Sequence, residues 1–135
     1  MIWLNALEIC GNMFQGCDSI ISVDLTNFDS SLINNVESMF SGCTSLESIE
    51  LTNLDTSKVK NMGGIFSYCI NLESIDLSSF NTSSVEDISF MFSDCISLKS
   101  INLSTFDTSK IKNMASMFSN CESLTFLEIN NFNTK

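Results

Sequence analysis

The chain has 135 residues, with 16 acidic side chains against 6 lysines, no arginine, no histidine, no proline and a net charge of −10. At 44% hydrophobic it is rich enough in apolar residues to bury a core, which excludes a disordered chain, and no apolar run approaches the ~18 residues that span a bilayer. The acidity and missing arginine exclude a phosphate-tracking nucleic-acid binder, and the missing histidine removes the commonest general base and metal ligand.

In chain order, the opening MIWLNALEIC lacks a basic n-region, carries Asn5 and Glu8, and is too short for a signal h-region. Ile2, Trp3, Leu4 and Ile9 have no counterpart in later units, and Trp3 is expected to fold over the first strand as a cap. A repeat then takes over. Cys17, Cys43, Cys69, Cys95 and Cys121 stand 26 residues apart, as do Phe14, Phe40, Phe66, Phe92 and Phe118. In the second unit the apolar register is Leu46, Ile49, Leu51, Leu54, Val59, Met62, Ile65, Phe66 and Cys69, and every unit keeps it.

Within a unit the period switches. Ser48-Ile49-Glu50-Leu51-Thr52 alternates as a strand does. Val59, Met62, Ile65, Phe66 and Cys69 follow at spacings that fall on one face of a helix. Between them lies Asp55-Thr56-Ser57, echoed by Asp29-Ser30-Ser31, Asn81-Thr82-Ser83 and Asp107-Thr108-Ser109, read as a turn running into a helix N-cap. Ser83 and Glu86 have capping-box spacing. One such unit cannot bury its own apolar face, so units must stack. The expectation is an α/β solenoid with right-handed crossovers, residues 1–135 as a single domain, with five parallel strands on one face and five short helices on the other. It begins with a half repeat and stops at Phe132-Asn133-Thr134-Lys135, inside an incomplete one.

The spacing LxxIxLxx(F/L) resembles a leucine-rich repeat, usually ~20–29 residues long. Where the common form has Asn or Cys, this chain has Phe28, Leu54, Phe80, Phe106 and Phe132. An asparagine ladder is unavailable there, and the turns must be satisfied by Asn27, Asn53 and Asn131 or by the Asp/Asn-Ser/Thr segments. MFSGCTSLESIELTNLDTSKVKNM and MFSDCISLKSINLSTFDTSKIKNM resemble the 26-residue repeat of bacterial surface proteins of the BspA-like leucine-rich repeat family. The resemblance runs from about Leu7 to the C-terminus. It implies adhesion or protein binding at a cell surface or outside the cell, and it brings no catalytic residues. No signal peptide or anchor is recognised in this chain, which leaves an intracellular location open.

Five of the six cysteines share one inward position, which predicts a column spaced by ~4.8 Å. That lies within the Cα range of a disulfide, roughly 4.4–6.8 Å, but parallel Cβ vectors suit the bridge poorly. Buried free thiols are expected, with Cys10 as a further core residue, and no zinc site, because no CxxC pair and no histidine is present. The pairs Met39-Phe40, Met91-Phe92 and Met117-Phe118 keep the core register and are read as packing. Asn81 and Asn102 head glycosylation triplets, of which Asn102 lies within a strand.

Two surfaces are expected to meet a protein partner. The outward strand positions Asp24, Glu50, Asp76, Asn102 and Glu128 should stack as a carboxylate column edged by hydroxyls, attractive to cations or basic partners, though a solvated polar face is the simpler account. The Asp29, Asp55, Asn81, Asp107 column is read as capping. Tyr68, Ile70, Phe90 and Ile96 break the register in two adjacent units and mark an aromatic flank. An enzyme would need a placed base and nucleophile outside the repeated columns, and none is present, so no enzyme, cofactor or metal is expected. The alternative is a structural spacer or self-assembling array. Leu124, Phe126, Leu127, Ile129 and Phe132 lie in the last, uncapped unit, so a homodimer through that end, or a chain continuing beyond Lys135, is expected.

Overall fold

The computed structural model describes residues 7–132. Its strands are β1 (Ser22–Asp24), β2 (Ser48–Glu50), β3 (Ser100–Asn102) and β4 (Phe126–Glu128). β1 pairs in parallel with β2, and β3 with β4, in the register of the repeat: Val23 beside Ile49, Ile101 beside Leu127. Ser74–Asp76 has the same pattern but pairs with neither sheet, so the strand side is two short sheets and not the expected run of five strands. The Trp3 cap lies outside the described residues.

The five helices expected opposite the strands are absent among the described residues; each stretch is a succession of turns. Its backbone bonds alternate. The N–H groups of Val36, Ser38, Phe40 and Gly42 donate to the carbonyls of Asn61, Gly63, Ile65 and Ser67 in the next unit, at 2.8–3.0 Å. Between them, Met39, Ser41 and Cys43 donate to the carbonyls three residues back, at 3.1 Å. The cross-unit set recurs from Cys10–Gly16, Met62–Tyr68 and Ile88–Asp94, so one ladder joins all five units. Ile9, Asn35, Asn61, Asp87 and Asn113 begin it as a second parallel pairing.

Left-handed residues make the alternation possible. Asn12, Ser38, Gly64, Phe90 and Ser116 have φ of 54–60°, and four residues on Gly16, Gly42, Tyr68, Asp94 and Asn120 have φ of 57–74°. A right-handed helix cannot hold such residues in its interior. The helical spacing of the apolar residues is therefore real, but the backbone beneath it sends every second N–H to the neighbouring unit. Ser83 and Glu86 form no capping box. Val85 closes a turn onto the Thr82 carbonyl, and Glu86 instead pairs with Lys112.

One core runs the length of the stack. Phe14, Phe40, Phe66, Phe92 and Phe118 stack with centroids 5.4–5.7 Å apart and nearly parallel rings. Each thiol from Cys43 to Cys121 donates to the carbonyl of the phenylalanine one unit back, at 3.1–3.3 Å. The place of an asparagine ladder is taken by buried hydroxyls. Thr56 accepts from the Asn81 N–H at 2.8 Å and donates to the Asn81 carbonyl at 3.2 Å; Thr82 does the same to Asp107 at 2.8 and 3.1 Å. Of the two routes the sequence offered for satisfying these turns, the Asp/Asn-Ser/Thr segment serves these units, and Asn131, whose side-chain amide donates to the Ser104 carbonyl, serves the last.

Candidate functional site

All six cysteines are free. Burial and then the neighbouring Cys17 push the Cys43 thiol up to about 11; burial and then Cys121 push Cys95 up to about 12; and burial, with Cys95 and Cys43 on either side, raises Cys69. Cys10 and Cys121 are also raised by burial. A thiol that stays protonated is a poor nucleophile and a poor metal ligand. At pH 8 Ellman's reagent is expected to react promptly at the half-buried Cys17, more slowly at Cys121, and with all six thiols after denaturation. Prompt reaction of four or more in the native protein would contradict this burial. No group of three Cys, Asp or Glu side chains among the described residues is arranged to hold a metal ion.

The predicted acidic column is only partly assembled. Asp24 lies beside Glu50 and Asn102 beside Glu128, whereas Asp76 sits on the unpaired segment. Asp24, Glu50 and Asp76 are exposed, and Glu128 is half-buried. These side chains are already engaged: Asp24, Glu50, Asp76 and Asn102 accept the N–H two residues on, at 2.8–3.0 Å. The same turn-closing bond recurs at Asp29, Asp55, Asn81 and Asp107, where the expected turn is present but caps no helix, and at Asn35, Asn61, Asp87 and Asn113. Asn81 and Asn102, the heads of the two glycosylation triplets, thus both serve as turn closers.

The bonds depress the acids. Hydrogen bonds from Thr26, Thr52 and Ser78 hold Asp24, Glu50 and Asp76 below the usual carboxylate range, as those from Ser31, Ser57 and Ser109 do for Asp29, Asp55 and Asp107. A carboxyl with a folded pKa below its unfolded value stabilises the fold above about pH 4, and the contribution is lost as pH falls through the folded value. The thermal midpoint is therefore expected to fall between pH 5 and pH 3. A midpoint that rose would mean that relief of repulsion in a chain of net charge −10 outweighs the turn closures.

The strand side carries an open cleft of about 620 Å³ where the sheets part, lined by Glu47, Ser48, Asn71, Glu73, Ser74 and Ser97. Its Glu73 is neutralised by Lys99 at 2.6 Å. The turn side is different. Tyr68, Phe90 and Ile96 are 54%, 49% and 40% exposed, and Ile70 is half-buried. Ile70 and Ile96 occupy the same position in adjacent units, and Tyr68 is tied to the next unit by its N–H to the Ser93 carbonyl at 2.8 Å. Tyr68 and Phe90 occupy the two left-handed columns, at φ of 59° and 55°, where the other units place Gly, Asn, Asp or Ser. A bulky side chain costs ~1–2 kcal/mol there.

Sequence reasoning missed the residues beside this flank. Gly63 and Gly64 interrupt two outward columns that carry Glu37 and Ser38 before them and Ser89 and Phe90 after them. The result is a notch of about 210 Å³. The Gly-Gly pair, which occurs once in the chain, was the available signal. At the last strand, Phe126, Leu127 and Ile129 are exposed, while Leu124 and Phe132 are half-buried, with the Phe132 ring 6.5 Å from that of Phe106.

The comparisons with known proteins agree with this architecture. A leucine-rich repeat protein of T. pallidum superposes over 90% of this chain and 61% of its own, with a TM-score of 0.54 and 24% identity. A leucine-rich repeat protein from Eubacterium ventriosum ATCC 27560 matches over 73% of this chain and 25% of its own, with a TM-score of 0.52 and 18% identity. The chain thus spans less than two thirds of either relative's length. No curated protein matches it. The chain shares the leucine-rich repeat fold of these structures, in keeping with the resemblance of its repeat to the BspA-like type, and by its match over residues 8–132 it belongs to the family described as "Mycoplasma protein of unknown function, DUF285".

Proposed function

We propose that this chain is a non-enzymatic protein-binding or adhesion module, displayed on a cell surface or outside the cell, and that it binds through the flank of Tyr68, Ile70, Phe90 and Ile96. One observation carries the reading. Tyr68 and Phe90 are aromatic at positions that cost backbone energy, and both side chains remain half-exposed, so core packing does not account for them. Tyr68 gains a hydrogen bond from its hydroxyl to the Asp94 carboxylate, but Phe90 breaks the local rule with no such bond, and a departure of this kind points to a surface kept for function. Aromatic residues also dominate the energetic centres of interfaces. The acidic strand face is the weaker surface, because its carboxylates already close turns. For location, the support is kinship with surface-protein repeats.

The test uses peptides selected from a display library on the native chain. Tyr68→Gly, Ile70→Thr, Phe90→Ser and Ile96→Thr together restore residues that other units carry, and should fold at least as well as the native chain. This variant is expected to lose at least tenfold in affinity, while Asp24→Asn, Glu50→Gln and Asp76→Asn together lose less than threefold. Binding that survives the first set overturns the reading.

A second reading, self-association, draws on the exposed Phe126, Leu127 and Ile129 around β4. An open parallel edge strand with apolar neighbours is a template for another strand. Light scattering over a dilution series should then show a dimer that Leu127→Asp abolishes. A monomer at every concentration would sink it.

A further inference from the structure

From the notch at Gly63-Gly64 we infer that the partner is engaged through an arginine side chain, held between the Phe90 ring and the Glu37 and Asp87 carboxylates. The inference rests on the flank being the binding surface and names the chemistry that it takes. The notch is small. At about 210 Å³ it falls below the ~300–1,000 Å³ of small-molecule pockets and offers room for one long side chain. Apart from Phe90 and the two glycines its lining is polar: Asn61, four serines from Ser38 to Ser89, and the acids Glu37 and Asp87.

The sign of the occupant follows from the charges. The ion pairs among the described residues are Lys99–Glu73 and Lys112–Glu86, so neither Glu37 nor Asp87 is paired with a cation. Glu37 is exposed and accepts a single hydrogen bond, from Asn61 at 3.1 Å, which leaves most of its acceptor capacity unused. Asp87 is more occupied, accepting from Ser89 and Asn113. Partial burial opposes its ionisation, but those bonds outweigh burial and keep it charged. A guanidinium offers five donors in a plane and stacks on an aromatic face, so it can use the carboxylates, the serine oxygens and the ring together. An ammonium cannot stack in that way. Residues 1–135 contain no arginine, so the group must come from outside this repeat array.

The glycines are what open the notch. A Cβ on Gly64 would meet the Ser38 hydroxyl at 3.3 Å, and one on Gly63 the Asn61 amide oxygen at 3.1 Å. The fold itself accepts side chains in both columns: Ser89 stands one unit on from Gly63, and Asn12 holds φ of 60° in the column of Gly64. Gly63→Ser and Gly64→Asn thus fill the space with residues the register already tolerates.

The experiment titrates N-acetyl-arginine methylamide into the ¹⁵N-labelled full chain and follows the amide signals of Gly63, Gly64, Ser67 and Phe90. Saturable shifts centred there are expected. They should be at least threefold weaker in affinity with the lysine analogue and absent with the uncharged citrulline analogue. Gly63→Ser with Gly64→Asn, Phe90→Ser and Glu37→Gln should each weaken arginine binding at least fivefold, and Gly42→Asn should leave it unchanged. Absence of saturation, equal binding of citrulline, or shifts confined to Asp24, Glu50 and Asp76 overturns the inference. Library peptides that need the flank but contain no essential arginine would likewise overturn it while the flank reading stands. Arginine binding in the notch with library binding indifferent to Tyr68 and Ile96 would overturn the flank reading instead.

Discussion

Phe66→Ala is expected to cost about 3–5 kcal/mol, the range for deleting a fully buried phenylalanine. Phe66 is wholly buried, with ring centroids 5.7 Å from both Phe40 and Phe92. The cavity has little means of closing. The backbone on either side is held by the Phe40 N–H on the Ile65 carbonyl at 2.9 Å and the Phe66 N–H on the Met91 carbonyl at 3.1 Å. A domain of this size has ~5–15 kcal/mol in all, so urea unfolding should shift by a large fraction of its midpoint. Phe118→Ala, at a half-buried ring that among the described residues stacks on Phe92 only, should cost about half as much. A loss under about 1.5 kcal/mol for Phe66→Ala would mean that neighbouring units slide together, and that the turn ladder does not fix their spacing.

The second large effect is expected at Thr82→Val, which keeps the shape and removes the hydroxyl. Thr82 is 2% exposed, accepts the Asp107 N–H at 2.8 Å and donates to the Asp107 carbonyl at 3.1 Å. Each partner left without a bond costs ~1–3 kcal/mol when buried. These partners are only partly buried, so the sum should come to about 2–3 kcal/mol in urea unfolding. Thr82→Ser retains both bonds and should lose less than about 1 kcal/mol, mainly a buried methyl. Ser83→Ala, at the neighbouring turn position, should stay within about 0.5 kcal/mol. Equal losses at Thr82 and Ser83 would remove the case for a hydroxyl ladder between units.

The difference between these two sites shows what was hard to see in advance. Thr82 and Ser83 are adjacent, both are hydroxyl residues, and both fit a turn or a helix cap. Their unequal weight depends on which one faces the loop of the next unit. Likewise, Tyr68 and Phe90 were recognisable as departures from the repeat, but not as residues in left-handed backbone. The Gly63-Gly64 notch became meaningful only when Glu37 and Phe90 were seen on either side of it.

The sequence by itself determined the unit, its length of 26 residues and the inward face of each unit. The side chains of Leu46, Leu51, Leu54, Val59, Met62, Ile65, Phe66 and Cys69 are all buried, because apolar periodicity records which way a side chain points. That information is blind to where the backbone N–H groups go. An apolar spacing of three and four residues fits a helix and fits a run of turns whose alternate N–H groups bond across units. The deciding residues were mostly small and polar ones, Asn12 and Gly16, Ser38 and Gly42, Ser116 and Asn120, with Gly64 and Asp94 each four residues from an aromatic, all left-handed. For all of them but Ser116 and Asn120, in the last unit, a neighbouring unit accepts the bond that a helix would have made internally. The tertiary stack therefore decided the secondary structure on this side of the chain. It also decided the strand side, where Ser48–Glu50 is paired and Ser74–Asp76, of nearly the same sequence, is not. Pairing needs a partner at hydrogen-bonding distance, and that distance belongs to the assembled array, not to either segment.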